Sequence, residues 1–291
     1  MNRSRSNIIK EAVFDEERAL YNLRDTLVLS CTFAGPADGE SALKEARDVT
    51  IEDCSFSLRY PFWHTERFSL LRSSMDELTR APIWYAKDGL IKDCNINSIK
   101  ALRECSDIRI EDCTINSPEF GWKCNDIYFH NCKLTSEYVF LGTSNASFEK
   151  LDFSGKYSFQ YTENIVIKNS FLDTKDAFWH SKNVTVKNST LRGEYLAWYS
   201  EGLTLENCHI IGTQPLCYCK NLRLINCTME GTDLAFEKSD VEATVSGNIL
   251  SVKNPRRGYI LADSIGEVIL EPIVEGDETV ASECKIETKG A

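Results

Sequence analysis

The sequence lacks any apolar run that could span a membrane. No stretch approaches the roughly 20 consecutive apolar residues that a transmembrane helix needs. Residues 1–10 include basic side chains, but Ile8 and Ile9 are followed at once by Lys10 and Glu11, so the apolar centre of a secretory signal is missing. These absences predict a cytoplasmic protein with no membrane partner.

Positive charge is also in deficit. The 291 residues contain 33 Lys and Arg against 44 Asp and Glu, a formal net charge of −11. An acidic surface repels phosphate backbones, which argues against a nucleic-acid partner. The same field disfavours anionic membranes and, more weakly, polyanionic substrates such as pectate.

In place of these features the sequence has a repeat of 19 residues. One position of the repeat recurs at this spacing through most of the chain and at spacings of 23, 19 and 21 before that. Its members are Cys31, Cys54, Ser73, Cys94, Cys113, Cys132, Leu151, Ser170, Ser189, Cys208 and Cys227. Eleven members indicate about 11 coils.

Each repeat contains short runs of β-branched and aromatic residues that are broken by Asn, Asp, Gly and Ser, a pattern typical of strands and turns. Leucine-rich repeats have a similar period, but they need a Leu/Asn consensus and often a helix in each repeat. The sequence therefore predicts an all-β fold, a single right-handed parallel β-helix of about 19 residues per coil. We expect one domain over 1–291, with an N-terminal cap and first strand at 7–24, regular coils at 25–239 and a C-terminal cap at 240–291.

Aligning the coils produces columns of equivalent residues. One column has no polar member and predicts the core: Leu20, Leu43, Phe62, Ile83, Leu102, Gly121, Phe140, Phe159, Phe178, Ala197, Leu216 and Ala235. Two other columns are mostly Asp and Asn, which tolerate left-handed bends. Calcium is the alternative explanation, but one acid per coil forms a row, whereas calcium needs several converging oxygens. We expect no metal and no cofactor.

All five tryptophans share another column. It contains Trp63, Trp84, Trp122, Trp179 and Trp198, with Tyr21, Lys44, Arg103, Leu141, Gln160 and Phe236 in other coils. Lys, Arg and Gln would be costly in a dry core, so the column is predicted to point outward. The next column is polar and aromatic: Glu45, His64, Tyr85, Glu104, Lys123, Tyr161, His180, Tyr199, Tyr218 and Glu237.

Two parts of this aromatic face are candidate sites. In the later coils, the predicted ligand-binding residues are Trp179, Trp198, Tyr199, Tyr161 and Tyr218. Beside them, His180, Asp176 and Glu194 are the candidate catalytic residues, because a histidine near an acid can transfer protons at neutral pH. The rival site, in the early coils, comprises Glu40, Lys44, Glu45, Trp63, His64, Arg80 and Trp84.

Several motifs resemble a bacterial family known only as a domain of unknown function, number 3737, in the pectin-lyase-like superfamily. The matching segments are Glu17-Arg-Ala-Leu-Tyr21, Gly39-Glu-Ser-Ala-Leu-Lys-Glu45, Tyr60-Pro-Phe-Trp63, Arg80-Ala-Pro-Ile-Trp-Tyr85, Lys175-Asp-Ala-Phe-Trp179, Gly193-Glu-Tyr-Leu-Ala-Trp198, Leu234-Ala-Phe-Glu237 and Ser251-Val-Lys-Asn-Pro255. The resemblance implies a parallel β-helix. It implies no established activity, so no family catalytic residues carry over.

The wider superfamily includes polysaccharide lyases, polygalacturonases and pectin esterases, whose signatures are absent. The sequence has no adjacent Asp-Asp pair and no His-Gly dipeptide of the polygalacturonase kind, and Arg256-Arg257 lacks the strand context of a lyase arginine. Fold alone does not assign function. An enzyme of this chain would be of the polysaccharide lyase or glycoside hydrolase type.

Two hypotheses remain open. The first is a cytoplasmic protein that binds or processes a carbohydrate along the Trp/Tyr/His face. The second is a non-catalytic rod that binds a copy of itself or a protein partner through the same face, since broad apolar patches mark interfaces. A dimer that buries the tryptophans would favour the second hypothesis, and an open groove holding a sugar would favour the first.

The twelve cysteines lead to a prediction about thiols. Cytosolic cysteines are kept reduced, and residues stacked about 4.8 Å apart are wider than the Cβ separation of about 3.8 Å that a disulfide prefers. Cys217 and Cys219 form the one close pair, but no histidine near them completes a metal site. Mass spectrometry without reductant should therefore find twelve thiols. A deficit of two hydrogens per bridge in the intact mass of freshly purified protein would contradict this.

Overall fold

A computed structural model of the chain describes residues 7–275 and 278–289. The fold is an all-β parallel β-solenoid of about 14 turns with about 19 residues per turn, which confirms the predicted fold class. The predicted 11 coils are too few. The count was low because some turns lack the residue that marks the repeat. Parallel strands of such turns form at Asn7–Lys10, at Arg257–Ala262 and at Glu283–Thr288.

The chain divides into two compact units, residues 1–147 and 148–291. The strands of the first unit pair in parallel with the strand one coil away, so that Ile51, Leu70, Ile91, Ile110 and Phe129 stack in one inward column. Its strands are β1 (Asn7–Lys10), β2 (Val13–Phe14), β3 (Thr26–Leu29), β4 (Thr32–Phe33), β5 (Arg47–Glu52), β6 (Ser55–Phe56), β7 (Phe62–Trp63), β8 (Glu66–Leu71), β9 (Ser74–Met75), β10 (Ile83–Trp84), β11 (Lys87–Lys92), β12 (Asn95–Asn97), β13 (Ser106–Glu111), β14 (Thr114–Asn116), β15 (Glu119–Phe120), β16 (Asn125–Ser136) and β17 (Tyr138–Val139). A 3₁₀ helix, Glu77–Thr79, is capped by the Asp76 carboxylate.

The chain passes from the first unit to the second within β18 (Ser144–Gly155). The second unit continues with β19 (Glu163–Lys168), β20 (Phe171–Asp173), β21 (Lys182–Lys187), β22 (Thr190–Arg192), β23 (Thr204–Glu206), β24 (His209–Ile211), β25 (Leu222–Glu230), β26 (Asp240–Ser246), β27 (Asn248–Lys253), β28 (Arg257–Ala262), β29 (Ser264–Ile269), β30 (Ile273–Glu275), β31 (Glu278–Val280) and β32 (Glu283–Thr288). These strands pair in parallel, except for the antiparallel hairpin of β30 and β31. None of the described residues belongs to a helix that is long and apolar enough to cross a membrane.

The all-apolar column lies in the core, as predicted. Phe62, Phe140, Phe159 and Phe178 are at most 1% exposed, and Phe159 and Phe178 stack with ring centroids 5.3 Å apart. Many of these residues have left-handed backbones, with φ of 56° at Phe159 and 60° at Phe178. Tight turns thus place large apolar rings inward at the corner of each coil.

The coil after Leu216 is one residue longer than the 19-residue spacing, so the column assignments of Ala235, Phe236 and Glu237 were wrong. The Leu216 N–H donates to Leu196 O, but the next residue with this role is Phe236, whose N–H donates to Pro215 O. Phe236 is fully buried and has φ of 66°, as the inward position requires. One extra residue in this coil therefore moves Phe236, not Ala235, into the core column and out of the tryptophan column.

A β-bulge causes a second correction. The register between β25 and β26 shifts after Leu224, so that Cys227 pairs with Val245 and Thr228 pairs with Ser246. The cysteine slot therefore continues at the buried Val245 and not at Ser246, which lies 19 residues after Cys227 and is exposed. A strand reverses its faces with a shift of one residue, so the bulge decides which side chain enters the core.

The Asp and Asn columns form the bends. Asp88, Asp107, Asp126 and Asn183 all have φ between 52° and 56°, the left-handed region that these residues tolerate. Within the described parts of the chain, no group of three or more His, Cys, Asp or Glu side chains is arranged to hold a metal ion.

The cysteines are thiols embedded between coils. All twelve are free and eleven are buried. Typical contacts are those of the Cys113 Sγ atom, 3.1 Å from Glu111 O and 3.7 Å from Ile91 O. Burial raises the pKa of the Cys54 thiol to about 11 and that of Cys217 to about 12, so both are protonated at neutral pH.

The core column leads to a prediction of stability. Phe159 is fully buried between Phe148 and Phe178, at centroid distances of 5.2 and 5.3 Å. Phe159→Ala should lower the free energy of unfolding by about 3–5 kcal/mol, because it leaves a cavity in a packed core. Urea melts measure the loss, and Phe171→Ala, which truncates a ring that is 38% exposed, is the matched control. A loss below about 1 kcal/mol for Phe159→Ala would show that the column does not carry the core.

Candidate ligand-binding face

A repeated turn positions the aromatic residues at the corner of each coil that also carries the all-apolar column. In successive coils of the second unit, Phe178 and Ala197 are left-handed, and so are His180 and Tyr199 two residues later. Between them, Trp179 and Trp198 occupy the middle of the turn. Three consecutive residues therefore have different surroundings: the apolar side chain points inward, the indole is half-buried and the ring of the following His or Tyr is exposed to solvent.

The outermost rings of the second unit form a continuous stack, which we call the ring ladder: Tyr161, His180, Tyr199 and Tyr218. Successive ring centroids are 5.0, 5.0 and 4.8 Å apart, and the interplanar angles are 7–13°. Tyr161 is 60% exposed and Tyr199 is 47% exposed. Ring faces cover one another at this spacing, so the ladder presents mainly ring edges and polar tips to solvent.

The indoles of Trp179 and Trp198 form a second stack beside the ladder. Their centroids are 5.4 Å apart and their planes are within 4° of parallel. Each Nε1–H donates to a backbone carbonyl 16 residues later, at Tyr195 O (2.7 Å) and Gln214 O (2.8 Å). Half-buried and hydrogen-bonded, the indole pair is a fixed support for the ladder.

The polar members of the tryptophan column use the same backbone acceptors. The Gln160 amide donates to Asp176 O at 3.0 Å, again 16 residues later. In the first unit the Trp122 indole donates to Tyr138 O at 2.8 Å. Gln and Trp are thus interchangeable here because each has an N–H group of suitable reach, and the column is partly exposed, not fully outward.

The three candidate catalytic residues have separate surroundings. The His180 ring is held between Tyr161 and Tyr199, and the Glu194 carboxylate forms an ion pair with Lys175 at 3.0 Å. Asp176 is only 6% exposed. Burial raises the pKa of its carboxyl group; the Lys175 charge opposes this rise, and Glu194 adds to it. Among the described residues no hydrogen bond or ion pair joins His180 to either acid, and their catalytic role stays a prediction.

Two cations flank the tryptophans of the first unit. The Lys44 ammonium lies 4.5 Å from the Trp63 ring centroid, and Trp63 stacks on Trp84 at 6.3 Å. The Arg103 guanidinium follows, 5.9 Å from Trp84 and 4.5 Å from Trp122. These cations are engaged with ring faces, where such contacts contribute about 0.5–2 kcal/mol.

The remaining residues of the rival site also have partners within the first unit. The contacts are Glu40 with Arg59 (3.6 Å), Glu45 with the Tyr21 hydroxyl (2.9 Å) and His64 stacked on Tyr85 (4.9 Å). Arg80 ends the 3₁₀ helix, with φ of 55°. The charges that made this cluster a candidate are therefore largely used to hold its own side chains.

Two residues of the later face were missed in the sequence. Lys175 pairs with Glu194, and its ammonium lies 5.3 Å from the Tyr195 ring centroid. Tyr195 in turn makes an edge contact with Trp198 at 5.3 Å. Both lie three or four residues before a tryptophan. This offset from a tryptophan is the sequence signal that could have identified them, because it places both residues on the adjoining part of the turn.

Comparisons with known proteins concern the fold. A model of the family described as "Protein of unknown function (DUF3737)" matches residues 7–287. Among solved structures, PfbA, a surface adhesin of Streptococcus pneumoniae, is 9% identical over 97% of this chain and 83% of that chain, with a TM-score of 0.40. The A-module of the mannuronan C-5 epimerase AlgE4 from Azotobacter vinelandii is 8% identical over 97% and 86%, with a TM-score of 0.30. No curated protein matches the chain.

The buried Asp176 carboxyl leads to a prediction about pH. A carboxyl whose folded pKa is raised destabilises the fold when it ionises, so its cost is absent below the unfolded pKa of about 3.9 and is complete once the pH exceeds the raised folded pKa. Asp176→Asn keeps a residue that tolerates φ of 54° and removes the charge. The variant should melt above the parent at pH 7, and the difference should vanish near pH 3.

Asp152→Asn is the control for loss of one negative charge, because Asp152 is exposed on β18. It should show no comparable gain at pH 7. An equal difference in melting temperature between Asp176→Asn and the parent at both pH values would contradict the proposed cost of ionisation.

Proposed function

The chain belongs to the DUF3737 family, whose description assigns no function, and we propose that it binds a carbohydrate along the ring ladder of its second unit. The observation that carries the proposal is the stack of Tyr161, His180, Tyr199 and Tyr218, with centroids 4.8–5.0 Å apart. The cytoplasmic location inferred from the sequence is part of the same proposal.

The exposed chemistry of the ladder favours a hydroxyl-rich ligand. Tyrosine hydroxyls both donate and accept hydrogen bonds, as sugar hydroxyls do. No described residue accepts from or donates to the hydroxyls of Tyr161 and Tyr199. The ring edges supply apolar contact beside these polar tips, a combination that suits the alternating C–H and O–H surface of a sugar.

Binding is better supported than processing. Glycoside hydrolysis needs two carboxyl groups that flank the scissile bond. Here the Glu194 carboxylate is bound to Lys175, and Asp176 is buried. The proposal therefore concerns recognition, and the acid–base role of His180, Asp176 and Glu194 forms no part of it.

A protein interface through the same face is the second candidate. The rings repeat at the spacing of stacked strands, and a second copy of the chain would present an identical repeat. Tyr161 and Tyr199 are also exposed large side chains of the kind enriched at interfaces. A dimer of this kind should separate into monomers when these rings are removed, as measured by sedimentation equilibrium.

The test of the proposed function is a glycan array probed with three proteins. The parent should retain at least one linear glycan. Tyr161→Ala combined with Tyr199→Ala should weaken that affinity at least about tenfold, equivalent to about 1.4 kcal/mol. His64→Ala, which removes a stacked ring of the first unit, should bind like the parent.

Unchanged affinity of the double variant would exclude the ring ladder. A loss confined to His64→Ala would transfer the binding site to the first unit. Near-native melting of each variant, checked by circular dichroism, shows that a lost affinity is not lost folding.

A further inference from the structure

We infer that the ligand is an uncharged, extended glycan chain that runs along the ring ladder with one sugar per coil. This inference rests on the proposed function and adds the charge, the shape and the length of the ligand. Its basis is the geometry of the four rings of the ladder, which we call its rungs, and the charges on each side of them.

The direction of the ligand follows from how the rings stack. Interplanar angles of 7–13° and separations near 5 Å leave no room for a sugar between two rings. A ligand must therefore lie across the edges. The rings form a row to which each coil contributes one, so a ligand that contacts several rings at once must itself be extended and regular.

The repeat of the row indicates the type of chain. Ring centroids that recur at 4.8–5.0 Å are close to the length of one pyranose unit in an extended β-(1→4)-linked glycan. A glycan that curls, such as an α-(1→4)-linked glucan, loses register with this row after its first units. Four rungs therefore predict a binding site for about four sugars of an extended chain.

Charges beside the ladder alternate in sign. The residue two places after each rung is Glu163, Lys182, Glu201 and Lys220 in succession, each paired with the next by parallel backbone bridging. On the other side Lys175 is bound to Glu194 at 3.0 Å. No rung carries a fixed positive charge, and each of these cations has an acid one coil away.

Balanced charge argues against a polyanion. A uronate polymer carries one carboxylate per sugar and would meet Glu163 and Glu201 as often as Lys182 and Lys220. Tyr218, the last ring of the ladder, adds a further acid for a uronate to meet, because its hydroxyl donates to the Glu237 carboxylate at 3.4 Å. Binding a polyanion would need an excess of cations beside the ladder, whereas hydrogen bonds between neutral hydroxyls do not. The face therefore suits a neutral glycan.

The test is a calorimetric titration of the full chain with three oligosaccharide series from two to six sugars. The series are cello-oligosaccharides (neutral and extended), malto-oligosaccharides (neutral and curved) and oligogalacturonates (acidic). Affinity for the first series should rise with each sugar up to four and then level off, and it should change little with added salt because no charge is neutralised. The other two series should bind at least about tenfold more weakly at equal length.

Two variants test the rung-by-rung arrangement. Tyr199→Phe removes one hydroxyl and keeps the stack, so affinity should fall about twofold to tenfold, the loss expected from one hydrogen bond. Tyr161→Ala removes the terminal rung, so affinity should level off at three sugars instead of four. Ser154→Ala, on an exposed strand position away from the ladder, is the control and should leave both quantities unchanged.

Each contrary result has a distinct meaning. Tighter binding of oligogalacturonates or malto-oligosaccharides would overturn the assigned charge or shape while leaving a carbohydrate-binding function intact. Affinity that does not depend on length would overturn the arrangement of one sugar per coil. If neither the three series nor any glycan of the array binds, the proposed function itself fails.

Discussion

Hydrogen bonding between the backbones of successive coils is the constraint on which the other features depend. In the second unit the Tyr161 N–H donates to Trp179 O at 2.8 Å, and the His180 N–H donates to Trp198 O at 3.1 Å. These bonds hold equivalent residues of neighbouring coils at the strand spacing of about 4.8 Å. A residue type repeated every 19 positions therefore becomes a column, whether it is a core phenylalanine, a bend asparagine or an exposed tyrosine.

Stacking at this spacing restricts which side chains can follow one another. Like charges on adjacent coils would repel, and several acids of the columns are paired with an amide or a base one coil away. The Asn131 amide donates to Asp112 at 2.7 Å, and Arg67 binds Asp48 through two hydrogen bonds of 2.8 Å. The Asn131 bond and the Lys92 ammonium lower the pKa of the Asp112 carboxyl group, which keeps it ionised. Aromatic rings have no such conflict, and columns of rings can be continuous.

Much of the fold could be predicted because a column is visible in the sequence. The buried phenylalanines and the left-handed Asp and Asn bends all follow from the 19-residue spacing. The exceptions are insertions whose position the residue types leave ambiguous. Around Phe236 the sequence Ala-Phe-Glu-Lys fits the pattern in two registers, and only the shifted backbone bonds choose between them. The bulge before Val245 is likewise decided by tertiary pairing and not by local preference.

The candidate site was less predictable, since membership of a column does not fix the orientation of a ring. That Tyr161, His180, Tyr199 and Tyr218 belong together follows from spacing. That their faces are mutually covered does not, because it depends on rotamers that the neighbouring coils impose. The acid–base role of His180, Asp176 and Glu194 stays a prediction: within the described chain neither acid bonds to His180, and the Glu194 carboxylate is paired with Lys175, which lies on the preceding coil.

The polar groups beside the tryptophan column have different partners in the two units, and this difference bears most directly on function. In the first unit, the cations Lys44 and Arg103 lie against indole faces, and Glu45 accepts the Tyr21 hydroxyl. Those polar groups are satisfied within the chain. In the second unit, the indoles bind backbone carbonyls and leave the outer rings without such partners at Tyr161 and Tyr199. A polar group that the protein does not satisfy must be satisfied by solvent or by a ligand. Two such groups, at Tyr161 and Tyr199 on alternate coils, favour a ligand with a matching repeat, because each matched hydroxyl adds a hydrogen bond without further loss of rigid-body freedom.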